Sequence, residues 1–116
     1  MRTILIIVGL LFSSTSLASI YCGGKINNSY ISKDGNLIIR GDWRNDYTRL
    51  CNLKGSVGGV DSITCSMWAS YVATSISSGK KVLLSYPDNS LTCSTLPTYT
   101  SSPTPNYFML TGEAVL

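Results

Sequence analysis

Between Ser62 and Ser78 the apolar residues recur with a helical period, and this is the longest patterned segment of the chain. Cys65, Trp68, Ala69, Val72 and Ile76 fall on one face and predict the core stripe of an α-helix. Ile63, Met67, Tyr71 and Thr74 form a second stripe roughly opposite, with Ser66, Ser70 and Ser77 between the two. Asp61 is placed to cap the first amides, and Gly79 stands just past the last periodic residue. No charged residue occurs from Ser62 to Gly79. A helix lying on a monomer surface normally carries charge on its outer face. Here a loop of the same chain or a partner must cover the second stripe, and the partner is the preferred expectation.

The flanking segments read as strands. Lys25 to Ser32 and Asn36 to Arg40 surround Asp34-Gly35, a hairpin signal because both turn positions take positive φ. Ile38 and Ile39 are adjacent, so either one leaves the core face or the strand is buried on both sides. Thr48 to Leu53 is a third short strand. Three glycines between Lys54 and Gly59 mark a loop. That loop lacks the Gly-Lys-Ser/Thr ending of a phosphate-binding loop. Lys80 to Tyr86 is the clearest strand, followed by a turn at Pro87-Asp88-Asn89, a strand from Ser90 to Thr95, a proline-rich loop from Pro97 to Asn106, and a last strand from Tyr107 to Thr111. The order β-β-β-α-β-β-β predicts an α+β domain: a small β-barrel with one helix, OB-fold-like.

The first 18 residues read differently. Arg2, the apolar run from Ile4 to Phe12 and the small residues Ser16 and Ala18 predict a signal peptide at 1–18, leaving one domain at 19–116. The apolar run is about half the roughly 20 residues that a membrane span needs. All four cysteines, Cys22, Cys51, Cys65 and Cys93, lie beyond the predicted cut. An even count in a small exported domain predicts two disulfides and a secreted or periplasmic location. With no histidine and no closely spaced cysteine pair, a zinc site is not expected. The predicted mature chain carries a formal charge of only +2, and aspartates interrupt its basic residues, so nucleic acid is not an expected partner.

The same inventory argues against catalysis. Without histidine no Ser-His-Asp or Cys-His arrangement exists, and Glu113 is the sole glutamate. The aspartates fall in predicted turns, loops or caps, where Asp is common for local reasons. Neither a cofactor nor a metal is expected. The one dense polar-aromatic cluster runs from Arg40 to Arg49. Its Trp43, Arg44, Asn45, Asp46 and Tyr47 combine a plane that can stack on a sugar with directed hydrogen-bond donors and acceptors, a candidate glycan or peptide site. A solvated turn is the plain alternative. Tyr99 is the next aromatic candidate. Arg40-Gly41-Asp42 spells an integrin tripeptide, and Asn27-Asn28-Ser29 a glycosylation sequon; both are too short to carry weight.

Two sets of residues carry a family resemblance. One is the uncharged helix, Val82-Leu83-Leu84-Ser85-Tyr86, Leu91-Thr92-Cys93, and a loop reaching Pro105 and Tyr107-Phe108-Met109-Leu110. The other is Leu50-Cys51-Asn52, Cys65-Ser66-Met67-Trp68, and Gly79-Lys80-Lys81-Val82 before Tyr86. The first resembles the cholera-type B subunit. The second resembles the B subunits of subtilase cytotoxin and typhoid toxin. Both belong to the receptor-binding B subunits of bacterial AB-type toxins, which are exported OB domains assembled in rings of five. The first resemblance implies a Cys22–Cys93 bridge and the second a Cys51–Cys65 bridge. The families' binding residues do not transfer: Ser94-Thr95-Leu96-Pro97 stands where the cholera-type subunit has its sugar-stacking tryptophan, and Gly23-Gly24 stand near the sialic-acid-binding serine of the other branch.

The resulting expectation is an exported, non-enzymatic recognition domain that binds a cell-surface glycan or glycoprotein. Its finer form is a homopentameric toxin B subunit with Ile63, Met67, Tyr71 and Thr74 at the interface and a catalytic toxin subunit as partner. The alternative is a monomeric enzyme inhibitor acting through the Pro97–Asn106 loop.

Overall fold

A computed structural model describes residues 19–87 and 90–114. The segment 1–18, expected to be a signal peptide, lies outside them. The elements are β1 (Ile20–Gly24), β2 (Ile26–Ile31), β3 (Asn36–Gly41), β4 (Tyr47–Asn52), α1 (Ser62–Ser78), β5 (Lys80–Tyr86) and β6 (Tyr107–Ala114). They form two antiparallel three-stranded sheets, ordered β1-β5-β6 and β2-β3-β4, and α1 packs on strands of both.

Two features join the sheets. Only Lys25 separates β1 from β2, and Gly24 turns the chain there at φ 148. Asp42 clasps this corner: its carboxylate accepts from the Lys25 amide, and its own amide donates to the Lys25 carbonyl. A side chain at Gly24 would occupy the position of that carboxylate. The second link is the Cys51–Cys65 disulfide, which ties β4 to α1 in the fully buried core. The Cys22–Cys93 disulfide fastens the segment after β5 to β1. The nested pairing implied by the resemblance is present.

The helix has the expected limits. Asp61 Oδ1 accepts from the Thr64 amide at 2.8 Å, and Gly79 closes the helix at φ 74 with its amide on the Ser75 carbonyl. Its buried face differs by one position from the periodic reading. Cys65, Trp68, Val72 and Ser75 are buried, whereas Ile76 is 45 % exposed. The reversal at Gly79 returns the chain across Ser75, whose hydroxyl donates to the Lys80 carbonyl at 2.6 Å. A hydroxyl with that partner is buried without penalty.

The element order also requires correction. It is β-β-β-β-α-β-β, with a strand at Ile20–Gly24 and none at Ser90–Thr95. Both edges of β5 are occupied, by β1 on one side and β6 on the other, so the 90–95 segment has no strand there to pair with. It forms turns instead, with the Thr95 amide on the Thr92 carbonyl. Ile38 and Ile39 are both buried. The register places Ile38 between Tyr30 and Arg49 on the face away from the core. The pairings leave two separate sheets rather than one closed hydrogen-bonded barrel.

Candidate functional site

The outer face of the β2-β3-β4 sheet brings together residues that the sequence separates widely. Cross-strand register sets Asn28, Arg40 and Tyr47 in one row and Tyr30, Ile38 and Arg49 in the next. Tyr47 is the centre of the group. Its ring stacks on Tyr99 at 5.5 Å and 24°, and meets Tyr30 at 5.8 Å and 57°. The Arg40 guanidinium carbon lies 5.9 Å from the Tyr47 ring centroid. Tyr47 is therefore half-buried by its neighbours, while Tyr99 (46 %) and Tyr30 (41 %) stay open to solvent.

Tyr99 reaches this place because the 97–106 loop is fastened to β4. Its amide donates to the Tyr47 carbonyl at 3.0 Å, and it makes a parallel bridge with Thr48. The buried Ser102 hydroxyl accepts from the Arg49 amide and faces the Pro97 and Tyr99 carbonyls. Leu96 and Pro105 are buried at the two ends of the loop, and the Asn106 amide donates to the Ser85 carbonyl. Tyr99 itself adopts φ 53, a left-handed conformation uncommon for a bulky residue. Strain of this kind is held by the surrounding contacts and collects at functional positions.

The turn between β3 and β4 distributes the remaining candidates. The Asn45 amide donates to the Gly41 carbonyl, and Asn45 takes φ 59, which its short amide side chain tolerates. Its Oδ1 accepts from Arg40 Nη2 at 2.7 Å, so Asn45 belongs to the tyrosine group. Asp46 is occupied locally, accepting from the Tyr47 amide at 2.8 Å. Trp43 is half-buried, packed on the core and lying against Gly41, where any side chain would displace its ring. Arg44 is also half-buried, its Nη1 3.5 Å from the Pro97 carbonyl and its Nε buried without a partner. Arg44 is close enough to Tyr86 for its charge to act on that phenol. Burial pushes the Tyr86 hydroxyl well above the usual range, and the Arg44 charge partly offsets the effect.

Of the six residues read from the sequence, Asn45, Tyr47 and Tyr99 come together, and Trp43, Arg44 and Asp46 make contacts within the protein. Arg40 and Tyr30 join the group without having been named as binding residues. Period-2 alternation puts both on the outward face, but the pairing of their strands is what brings them next to Tyr47. Among the described residues, no group of three or more His, Cys, Asp or Glu is placed to hold a metal ion.

The helix presents the second surface of interest. Ile63 (73 %), Met67 (58 %) and Tyr71 are exposed and Thr74 lies beside them, whereas Ile76 is exposed at the far side of the helix, next to the buried stripe. Tyr71 also leans on Phe108, with ring centroids 6.5 Å apart.

Comparison with protein-family models, curated proteins and solved structures returns no match for this chain.

Proposed function

We propose that this protein is an exported, non-enzymatic recognition domain that binds glycans through the tyrosine group of its β2-β3-β4 sheet. The observation that carries the reading is the joining of Tyr30, Tyr47 and Tyr99 with Arg40 on one outward face. Aromatic rings offer apolar planes to the apolar faces of sugars, and the phenol hydroxyls and guanidinium offer directed polar contacts at their edges. Two disulfides in a domain of this size fit an oxidising, extracellular or periplasmic setting. Among the described residues no helix is long and apolar enough to cross a membrane.

The exposed stripe of α1 supports assembly with further copies of the chain. Seventeen helical residues without a charge, bearing Ile63, Met67 and Tyr71 outward on one stripe, form a face that a monomer leaves wet. In this reading the two sheets and helix are a partly open OB-type domain, and the assembly is the ring of a toxin B subunit serving a catalytic partner. A ring would multiply weak individual sugar sites by effective concentration. The inhibitor reading needs a projecting loop. The Pro97–Asn106 loop is instead held along β4 by the Tyr99 and Ser102 contacts and tied to β5 by the Asn106 amide on the Ser85 carbonyl, which favours recognition by the sheet face.

A glycan array probed with the oxidised mature protein tests the function. Binding by wild type and its loss in Tyr99→Ala is the expected result. Binding that survives Tyr99→Ala and Arg40→Ala alike removes this face from the account.

A further inference from the structure

Arg40 and Asn45 form a unit whose purpose the fold alone does not require. Arg40 sits opposite Tyr47 across the β3-β4 ladder, its guanidinium near the ring face. A guanidinium has five N–H donors in a fixed fork. Here Nη2 donates to Asn45 Oδ1, and Nε is buried without a partner. Asn45 is the one hydrogen-bond partner of the Arg40 guanidinium among the described residues. The acceptor is neutral, so the Arg40 charge is oriented without being cancelled. Asn45 also adopts the left-handed conformation at φ 59, which sets its amide beside β3 at the cost of a backbone that most residues disfavour.

We infer that Asn45 is a positioning residue: it holds the Arg40 fork against Tyr47 so that the remaining donors meet an anionic substituent on a sugar bound at the tyrosine group. This rests on the glycan reading above and deepens it. The shared ligand chemistry is a carboxylate or sulfate ester carried by a sugar ring. An arginine freed from Asn45 would keep its charge but lose the fixed direction of its fork, and part of the binding free energy would go to ordering a long side chain. A structural role for Asn45 would be confined to the turn. Glycine satisfies that turn at least as well, because φ 59 costs it nothing.

The test measures affinity for three probes, lactose, sialyllactose and 3-sulfated galactose, with wild type, Asn45→Gly, Asn45→Asp and Arg40→Ala. The preference for the charged probes over lactose is expected to fall by roughly tenfold in Asn45→Gly, the size of one lost hydrogen bond to a charged group. Thermal unfolding of that variant is expected to match wild type or exceed it. Asn45→Asp restores an acceptor but brings a negative charge, and is expected to lose the preference as Arg40→Ala does. Adding Asn45→Gly to Arg40→Ala should change the preference little further, because Asn45 acts only through the arginine. Comparison of the sialylated and sulfated probes identifies the anion source. An Asn45→Gly variant with the wild-type preference overturns the inference while leaving the glycan reading intact. A wild type that binds none of the probes overturns both.

Discussion

Removing the two disulfides separately should divide the stability of the fold into unequal parts. Cys51–Cys65 spans 14 positions and Cys22–Cys93 spans 71. The chain-entropy relation gives about 3 kcal/mol for the inner loop and about 4.4 kcal/mol for the outer one. A domain of this size has about 5–15 kcal/mol in total, so either loss is severe. The magnitudes correspond to a fall in Tm of roughly 12–24 °C for Cys51→Ala/Cys65→Ala and somewhat more for Cys22→Ala/Cys93→Ala. The structural consequences should differ as well as the energies. The inner pair is fully buried and joins β4 to α1, so its removal loosens the contact between sheet and helix. The outer pair fastens the chain that leads to Tyr99, so its removal should weaken ligand binding before the fold is lost. Guanidinium unfolding of both double variants, followed by far-ultraviolet circular dichroism, measures the energies. A smaller loss for the outer pair than for the inner one, or a loss below about 1 kcal/mol for either, would refute the reasoning.

Four further outcomes are expected. Trp68→Ala should cost roughly 3–5 kcal/mol, read by denaturant unfolding, because the indole is buried against Phe108 in the core. Tyr71→Ala and Met67→Ser should leave the monomer folded and lower the assembly state in sedimentation velocity; a wild type that is monomeric at micromolar concentration would contradict the ring. Gly79→Ala should cost about 1 kcal/mol in thermal unfolding, since φ 74 penalises any side chain. Hydrogen bonds from Thr64 hold the Asp61 carboxyl below its ordinary range. Its cap is therefore fully effective above the unfolded carboxylate value and is lost as pH falls through the lowered folded value, so an acid titration should destabilise wild type more than Asp61→Asn.

The parts of the fold that were legible have strong local causes. Asp61 and Gly79 delimit α1 to the residue because a cap acceptor and a left-handed glycine act within one turn. The β2-β3 hairpin falls at Asp34-Gly35 as read, but only Gly35 takes positive φ, at 91. The turn is centred on Lys33-Asp34 and closed by the Gly35 amide on the Ser32 carbonyl, so Asp34 does not need the left-handed conformation expected of it. The strand at Ile20–Gly24 has no such signal. Its two glycines are poor strand formers, and it is ordered by pairing with β5, some 60 positions later. The error at Ser90–Thr95 is the converse: its local pattern suits a strand, but β5 already has a neighbour on each edge. Ile76 was misplaced because a reading based on period alone takes no account of the reversal at Gly79 and the bond it allows Ser75.

The candidate site was legible in part. The aromatic and amide character of the β3-β4 turn is visible in the sequence, and so is Tyr99 as an isolated aromatic. Which ring faces outward is not. Trp43 is drawn against Gly41 and the core, while Tyr47 is left between Tyr99 and Tyr30. That choice depends on β2-β3-β4 register and on a loop docking across 52 positions, neither of which has a local signature.

The most direct test of glycan recognition is to follow the tyrosine and tryptophan ring resonances of the oxidised protein by NMR while sialyllactose is added. The account predicts saturable shifts at Tyr30, Tyr47 and Tyr99, with Trp43 and Tyr21, which lies on β1 of the other sheet, essentially unmoved. Shifts at Trp43 or Tyr21 with none at Tyr99, or no saturable shift at any ring, would contradict it.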